Sequence, residues 1–142
     1  MKVTMMLADS AQAVNGKLYI LGGGWSIIGP KPRPMAIVMK IEVPWDQANI
    51  EQRFRLRLID QDARPVMIPT EKGERPVEIS GTFTTGRSAH LPYGKPVGVP
   101  LAINHPPIKI EPGASYVWEL YINDDTREDW KLDFSVSTSG RR

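Results

Sequence analysis

The chain has 142 residues, 41% hydrophobic and 24% charged, which is typical of a folded globular protein and excludes a disordered one. It contains no cysteine, which excludes disulfides, thiolate zinc sites, iron–sulfur clusters and thiol nucleophiles. Eighteen lysines and arginines oppose 16 acidic residues, and this net charge of +2 is too small for a general nucleic-acid footprint. We interpret residues 1–142 as one domain, because this length suits a single hydrophobic core.

The amino-terminal segment has some features of a signal peptide. Its apolar stretch covers only residues 3–8 before Asp9 interrupts it, which is shorter than the roughly 7 to 15 apolar residues of a signal. The sequence also has no apolar run of about 18 residues, the length needed to span a membrane. We therefore expect cytoplasmic synthesis, no signal peptide, no membrane span, and a first β-strand here.

Apolar and polar residues alternate with a period of two along most of the chain, which is the pattern of β-strands. The pair Asn15-Gly16 lies between two such runs, and both residues tolerate the positive φ of a two-residue hairpin turn. The first 22 residues are therefore predicted to form a β-hairpin or a bulged meander.

Further strand patterns follow along the chain, with turn residues between them. Residues 35–43 are apolar on one face and partly apolar on the other, which predicts a central strand. A helical turn or two is expected only at residues 47–52, and a polar loop at residues 69–76. We predict an all-β fold, an antiparallel β-sandwich or jelly roll of about eight or nine strands with at most one short helix. Later strands are expected near residues 53–58, 77–84, 97–103, 116–123 and 130–137, with a proline-bounded edge strand at 108–110.

Residues 29–34 form a proline-spaced basic segment with two open interpretations. Lys31 and Arg33 each precede a proline, which biases the backbone towards an extended conformation. The segment is either an exposed arm that lies on a partner or a stiff crossover between two sheets.

Three arginines alternate along one predicted strand and therefore share a face: Arg53, Arg55 and Arg57. The guanidinium group binds phosphate or carboxylate through a planar fork, so this row is a candidate contact with nucleic acid or an acidic protein surface. The interpretation that the sequence favours is a solvated face whose arginines pair across strands with residues such as Glu78 or Glu119.

The chain contains four tryptophans in different sequence contexts. Trp118 and Trp130 alternate in step with the predicted core residues and are expected to be buried. Trp25 follows three glycines and is expected to pack against the sheet at a glycine bulge. Trp45, which follows Pro44 at a strand end, is either a further core residue or an exposed ring that stacks on a sugar or contacts a protein.

The sequence lacks the short motifs of common enzymes and cofactor sites. His90 and His105 form no HxH or HExxH pair, and no Gly-x-Ser-x-Gly elbow is present. The glycines at 22–24 are not part of a phosphate-binding motif, and the acidic residues at 124–129 do not match an EF-hand. We predict that the protein is not an enzyme and uses no metal or other cofactor.

Five short motifs are spread along the chain. They are Leu-Ala-Asp-Ser-Ala-Gln at 7–12, Asn-Gly-Lys-Leu at 15–18, Leu-Gly-Gly-Gly-Trp at 21–25, Val-Pro-Trp at 43–45 and Pro-Gly-x-x-Tyr-Val-Trp at 112–118. Together they resemble an uncharacterised domain family that is common in actinobacteria and their phages. The resemblance spans nearly the whole chain and implies a stand-alone β-domain, but it implies no catalytic residues.

These observations favour a structural or interaction protein that contacts copies of itself or a larger assembly. The most specific form is an accessory protein, a decoration or minor capsid protein, of a phage particle, which would place it in the virion as a homo-oligomer. The alternatives are a carbohydrate- or small-ligand-binding sandwich and a weak nucleic-acid binder, although we do not expect a nucleic-acid partner. The candidate contact residues are Lys31, Arg33, Trp45, Arg53, Arg55, Arg57, Arg141 and Arg142.

Overall fold

The structure is a computed structural model, and it describes residues 1–138. The described residues form eleven β-strands and one 3₁₀ turn at Trp45–Gln47, so the predicted all-β fold is confirmed. The strands are β1 (Lys2–Val14), β2 (Lys17–Gly23), β3 (Ile27–Ile28), β4 (Met35–Val43), β5 (Gln52–Asp60), β6 (Met67–Thr70), β7 (Gly73–Pro76), β8 (Glu78–Phe83), β9 (Val97–His105), β10 (Ser115–Ile122) and β11 (Lys131–Val136).

Two sheets pack face to face as a β-sandwich. The first sheet has the order β2-β1-β4-β9 and is antiparallel throughout. The second has the order β3-β11-β10-β5-β8, in which only the pair β3–β11 is parallel. Strands β6 and β7 form a separate small hairpin. The open edges of the sandwich are therefore β2, β9, β3 and β8.

The main core lies between the two sheets. From the first sheet, Ile37, Met39 and Ile41 of β4 are fully buried, as their alternation predicts. From the second sheet, Leu58 of β5 and Trp118 of β10 are also fully buried. Each such side chain contributes about 1.5 to 3 kcal/mol to folding when it leaves water. The core therefore joins the central strands of both sheets.

A second, smaller apolar cluster lies on the outer face of the first sheet. Ala36 and Val38 of β4 point away from the main core, and Ala11 and Leu18 of the β1–β2 hairpin pack against them. Asn104 of β9 binds the hairpin there, because its amide nitrogen donates to the Ala11 carbonyl at 2.8 Å and its Oδ1 accepts from the Ala11 N–H at 3.2 Å. The hairpin thus covers the second face of β4, which explains why both faces of that strand are apolar.

The structure has more strands than the eight or nine predicted. The additional elements are the two-residue β3 and the hairpin β6–β7, which forms where a polar loop is expected. These strands are short and mostly exposed, and few of their side chains are buried. Their sequences therefore do not alternate between apolar and polar residues, and the pattern does not predict them.

Two local predictions are wrong. The helical turn lies at Trp45–Gln47 rather than at residues 47–52, and β5 already begins at Gln52. Residues 108–110 form no strand, although Ile108 and Ile110 are buried in the main core. Prolines flank this segment and cannot donate to a ladder, so its side chains enter the core from an irregular backbone.

Candidate functional site

The outer face of the β1–β2 hairpin carries exposed apolar side chains. Val14, Tyr19 and Leu21 are 43%, 57% and 70% exposed, and the register of the two strands places all three on this face. Ile20, between them on β2, is 38% exposed and lies on the opposite face with its partner Ala11. We call Val14, Tyr19 and Leu21 the hairpin patch. Contiguous exposed apolar side chains are typical of surfaces that bind another macromolecule.

The turn of the hairpin determines which backbone groups of β2 face β1. Asn15 and Gly16 have φ values of 51° and 75°, as a two-residue turn of this hand requires. Such a turn is closed by a hydrogen-bonded pair, here Val14 and Lys17. Since hydrogen-bonded and non-hydrogen-bonded pairs alternate along an antiparallel ladder, Tyr19 and Leu21 also direct their backbone groups to β1.

The same alternation leaves other backbone groups of β2 facing outward. Ala11 lies opposite Ile20, and its N–H and C=O bind Asn104 rather than β2. Ile20 and its alternate neighbour Leu18 therefore point their N–H and C=O groups to the side of β2 away from β1. Among the residues that the structure describes, β1 is the only strand paired with β2. This side of β2 is thus an open hydrogen-bonding edge.

The other sheet edges differ from β2 in length or in their exposed side chains. Strand β3 has only two residues, and β9 contains Pro100, which has no N–H to donate. Strands β8 and β2 each carry one charge, at their first residues Glu78 and Lys17. Within residues 1–138, β2 is the long edge strand that also exposes large apolar side chains.

The predicted arginine row lies on the outer face of the second sheet. Arg55 Nη1 is 2.9 Å from Glu78 Oε1, and Arg57 Nε is 2.7 Å from Glu119 Oε1. Tyr121 lies between them, with its ring centroid 4.5 Å from the Arg55 guanidinium carbon. These are the cross-strand partners that the sequence predicts, and the interpretation of a paired face is confirmed.

Glu119 is the centre of a small ion-pair network on this face. It is only 7% exposed, and Lys131 Nζ lies 3.7 Å from its Oε2. Burial lowers the pKa of Arg57, but the hydrogen bond and charge of Glu119 outweigh burial and raise that pKa above its ordinary value. A hydrogen bond to Glu128 raises the pKa of Lys131. Both cations therefore stay charged at neutral pH.

The third arginine of the row is also paired. Arg53 Nη2 lies 3.3 Å from Asp124 Oδ2, and its backbone N–H donates to Asn123 Oδ1 at 2.9 Å. Every arginine of the row thus has a carboxylate within hydrogen-bonding reach. Because these carboxylates offset the charge that a phosphate would meet, the face has the composition of a neutral salt-bridge ladder.

Trp45 lies beside a cleft of about 560 Å³. The Arg87 guanidinium carbon is 3.6 Å from the centroid of the indole ring, and Arg87 Nε donates to the Trp45 carbonyl at 3.0 Å. Tyr93 contacts the same ring, with 4.3 Å between the ring centroids, and is itself 86% exposed. Trp45 is half-buried and already stacked by Arg87, so Tyr93 is the exposed aromatic ring at this cleft.

The remaining tryptophans lie where the sequence predicts. Trp118 and Trp130 are buried in the main core, and Trp25 packs edge-on against Phe134 with 5.9 Å between the ring centroids. These rings serve the core and are not exposed for binding.

The basic segment at residues 29–34 connects β3, in the second sheet, to β4, in the first. It is therefore a crossover between the sheets, with Lys31 exposed and Arg33 half-buried. Within residues 1–138, neither residue forms a hydrogen bond or ion pair with the hairpin patch or the arginine row. Arg141 and Arg142 lie outside the described residues.

Residues 1–138 contain no group of three or more His, Asp or Glu side chains placed to hold a metal ion. The same part of the chain contains no helix that is both long and apolar enough to cross a membrane.

The fold and these surfaces define an all-β sandwich with a salt-bridged outer face and one open apolar edge. Residues 3–135 match a family of unknown function, and the chain belongs to that family, DUF6941. This match confirms the resemblance to an uncharacterised family that the short motifs indicate. No curated protein matches the chain.

Proposed function

We propose that the protein is a non-enzymatic interaction module that joins a larger protein assembly through β2. The observation that carries this proposal is the open edge of β2, which combines unpaired backbone groups with the apolar side chains of the hairpin patch. An edge of this kind is a template for pairing with another chain, and folded proteins normally protect it. Strand β2 adds exposed apolar side chains to this open edge, which the long edge strands β8 and β9 do not, and this combination supports a binding role.

The size of the hairpin patch indicates a contact that works through repetition. Burying each of its large side chains contributes about 1.5 to 3 kcal/mol, whereas association costs roughly 4 to 15 kcal/mol in lost freedom of motion. A single patch therefore gives modest affinity. Many copies held in one assembly bind cooperatively, because each bound contact raises the effective concentration of the next.

The setting that we propose is a phage particle, on which the protein serves as an accessory, that is a decoration or minor capsid, protein. The motifs at residues 7–12 and 112–118, which resemble a family common in actinobacteria and their phages, support this setting. A particle surface also supplies the repeated sites that a contact of modest affinity needs.

A sedimentation experiment on particles tests both parts of the proposal. We would express tagged protein in the bacterium whose phage or prophage encodes it, and purify particles on a density gradient. Wild-type protein is expected in the particle fraction. Leu21→Lys should be lost from it, because the change places a charge in the hairpin patch at a 70% exposed position that contributes little to folding.

The matched control is Met67→Lys, which introduces the same charge at a 46% exposed position on β6. It should stay with the particles. Leu21→Lys in the particle fraction at the wild-type level would contradict a role for β2. Wild-type protein that is absent from particles and free at 15.9 kDa in the extract would contradict the assembly role as a whole.

The cleft at Trp45 favours carbohydrate or small-ligand binding as a second function, because its volume is in the range of ligand pockets and Tyr93 presents an exposed ring beside it. A glycan that stacks there should shift the tryptophan emission through the adjacent Trp45 ring, and Tyr93→Ala should abolish the shift. A flat response across a broad glycan panel would exclude this function.

A further inference from the structure

We infer that the strand that pairs with β2 is the β2 of a second copy, in an antiparallel two-fold arrangement with Tyr19 opposite Tyr19. This inference rests on the proposed function, since it names a second copy as the partner of the same edge. The pairing occupies β2 of both copies, so the unit that enters the larger assembly is the two-fold dimer. Three independent features of β2 agree with it: which backbone groups are open, where the charges lie, and where the strand ceases to be extended.

The open backbone groups fit this arrangement. Two-fold antiparallel pairing about Tyr19 places Leu18 of each copy opposite Ile20 of the other. These are the two residues whose N–H and C=O groups point away from β1. Each Leu18–Ile20 pair exchanges two hydrogen bonds, so all four open groups of each copy are satisfied.

The charges also fit. The only charged residue of β2, Lys17, lies opposite Leu21 of the second copy, and no two like charges oppose each other. The two Lys17 residues are four positions apart along the ladder, about 13 Å, which exceeds the Debye length at physiological salt. The register therefore brings no two like charges into contact.

The conformation of β2 disfavours the neighbouring registers. Pairing about Ile20 needs Leu18 to bond Gly22, but Gly22 has a φ of 59° and is not extended. Pairing about Leu18 places Ile20 opposite the turn residue Gly16, whose φ is 75°. Only pairing about Tyr19 satisfies the open groups of both Leu18 and Ile20 with extended partners, and it does not need hydrogen bonds from Gly16 or Gly22. The two four-stranded sheets then join as one sheet of eight strands.

The contacts on the outer face follow from the same register. Tyr19 faces Tyr19 as a non-hydrogen-bonded pair, in which the Cα atoms approach to about 4.5 Å and the side chains lie closest. Aromatic pairs at such positions stabilise antiparallel sheets. Leu21 of each copy covers the aliphatic stem of Lys17 of the other.

Cysteine cross-linking tests the register directly, because the chain has no cysteine of its own. Tyr19→Cys should form a disulfide-linked dimer on mild oxidation of the pure protein, since a Cα separation of about 4.5 Å suits a disulfide. Leu21→Cys alone should not, because its two copies lie four positions apart along the ladder, about 13 Å. A mixture of Lys17→Cys and Leu21→Cys should form the mixed dimer with Tyr19 still in place.

A charge series gives a second readout, the dimer dissociation constant from sedimentation equilibrium. Leu21→Lys should weaken the dimer at least tenfold, because it opposes a second ammonium group to Lys17. Leu21→Glu should retain the dimer, since it opposes Lys17 with a carboxylate. The double change Lys17→Glu with Leu21→Lys should restore what Leu21→Lys alone loses.

The inference is overturned if Tyr19→Cys and the Lys17→Cys with Leu21→Cys mixture both stay monomeric, or if Leu21→Cys links to itself as readily as Tyr19→Cys does. It is also overturned if Leu21→Lys and Leu21→Glu weaken the dimer equally. A pure protein that stays monomeric, together with particle binding that Leu21→Lys abolishes, would mean that β2 pairs with a different protein. In that case the proposed function stands and the two-fold pairing does not.

Discussion

Trp118 lies at the centre of the main core with no exposed area, whereas Arg55 lies on the outer face with its guanidinium partly in water. Trp118→Ala should therefore lower the free energy of unfolding by about 3 to 5 kcal/mol, because it removes a large buried ring and leaves a cavity. Arg55→Ala should lower it by less than about 1 kcal/mol, the usual value of an exposed ion pair. Denaturant unfolding measures both changes, and the reverse order would mean that the two faces of the second sheet are assigned wrongly.

Glu119 is the residue on which the salt-bridge ladder depends, because it pairs with both Arg57 and Lys131 and is nearly buried. Glu119→Gln keeps the shape but removes the charge from the 2.7 Å contact with Arg57. We expect unfolding to become easier by about 1 to 2 kcal/mol, at the lower end for hydrogen bonds to charged groups because Arg57 is part-exposed.

Glu128→Gln is the matched control for that change, since Glu128 pairs with the same lysine but is fully exposed. It should leave the denaturation midpoint close to the wild-type value. Equal effects of the two substitutions would contradict a special role for Glu119.

At the scale of elements, two hydrogen bonds from the Asn104 side chain hold the β1–β2 hairpin to β9. Asn104 reproduces with its side chain the two hydrogen bonds that a neighbouring strand would give Ala11. Asn104→Ala should therefore speed exchange of the Ala11 amide hydrogen roughly tenfold or more, since each lost hydrogen bond is worth about 0.5 to 1.5 kcal/mol.

Hydrogen exchange followed by NMR measures this effect residue by residue. The control is Gln61→Ala, which removes a side-chain acceptor from Ser115 N–H in the other sheet and should not alter the exchange of Ala11. If the Ala11 amide exchanges at the wild-type rate in Asn104→Ala, the smaller apolar cluster on the outer face of the first sheet holds the hairpin without the Asn104 hydrogen bonds.

The arginine row on β5 gives a prediction about nucleic acid. Replacing Arg53, Arg55 and Arg57 together by glutamine should leave retention on a DNA column unchanged at physiological salt. The reason is that each guanidinium already has a carboxylate partner within 3.3 Å. A wild-type protein that is retained with a steep salt dependence, and a triple variant that is not, would instead identify the row as a phosphate-binding face.

Elements with a local signal in the sequence could be predicted, and those held by distant contacts could not. Asn15-Gly16 predicts its hairpin because the turn conformation is a local property of those residues. Alternation along residues 35–43 predicts β4 for the same kind of reason. The strand predicted at residues 108–110 is absent, because alternation indicates burial and not hydrogen bonding. Ile108 and Ile110 are buried in the core, but their backbone is irregular.

The candidate site was harder to predict than the fold. Partners for the arginine row follow from adjacent strands, but the hairpin patch depends on how the hairpin bends over the outer face of β4. Residues 18–21 are all apolar, a signal of a strand covered on both faces, yet only Leu18 is half-buried there. The contact of Arg87 with Trp45 joins residues 42 positions apart and has no local signal.

At the scale of the whole molecule, we propose that a neighbouring chain completes the sandwich at β2. The β1–β2 hairpin covers part of the outer face of the first sheet, and ion pairs line the outer face of the second. The β2 edge is short, so the contact should be weak in solution and should depend on protein concentration.

Light scattering after size exclusion, across a range of concentrations, measures this association. We expect the mass of the wild-type protein to rise with concentration from 15.9 kDa towards twice that value. Leu21→Lys should stay at 15.9 kDa throughout, and Met67→Lys should follow the wild type. A wild-type mass that rises equally in Leu21→Lys, or that stays at 15.9 kDa at every concentration, would contradict self-pairing through β2.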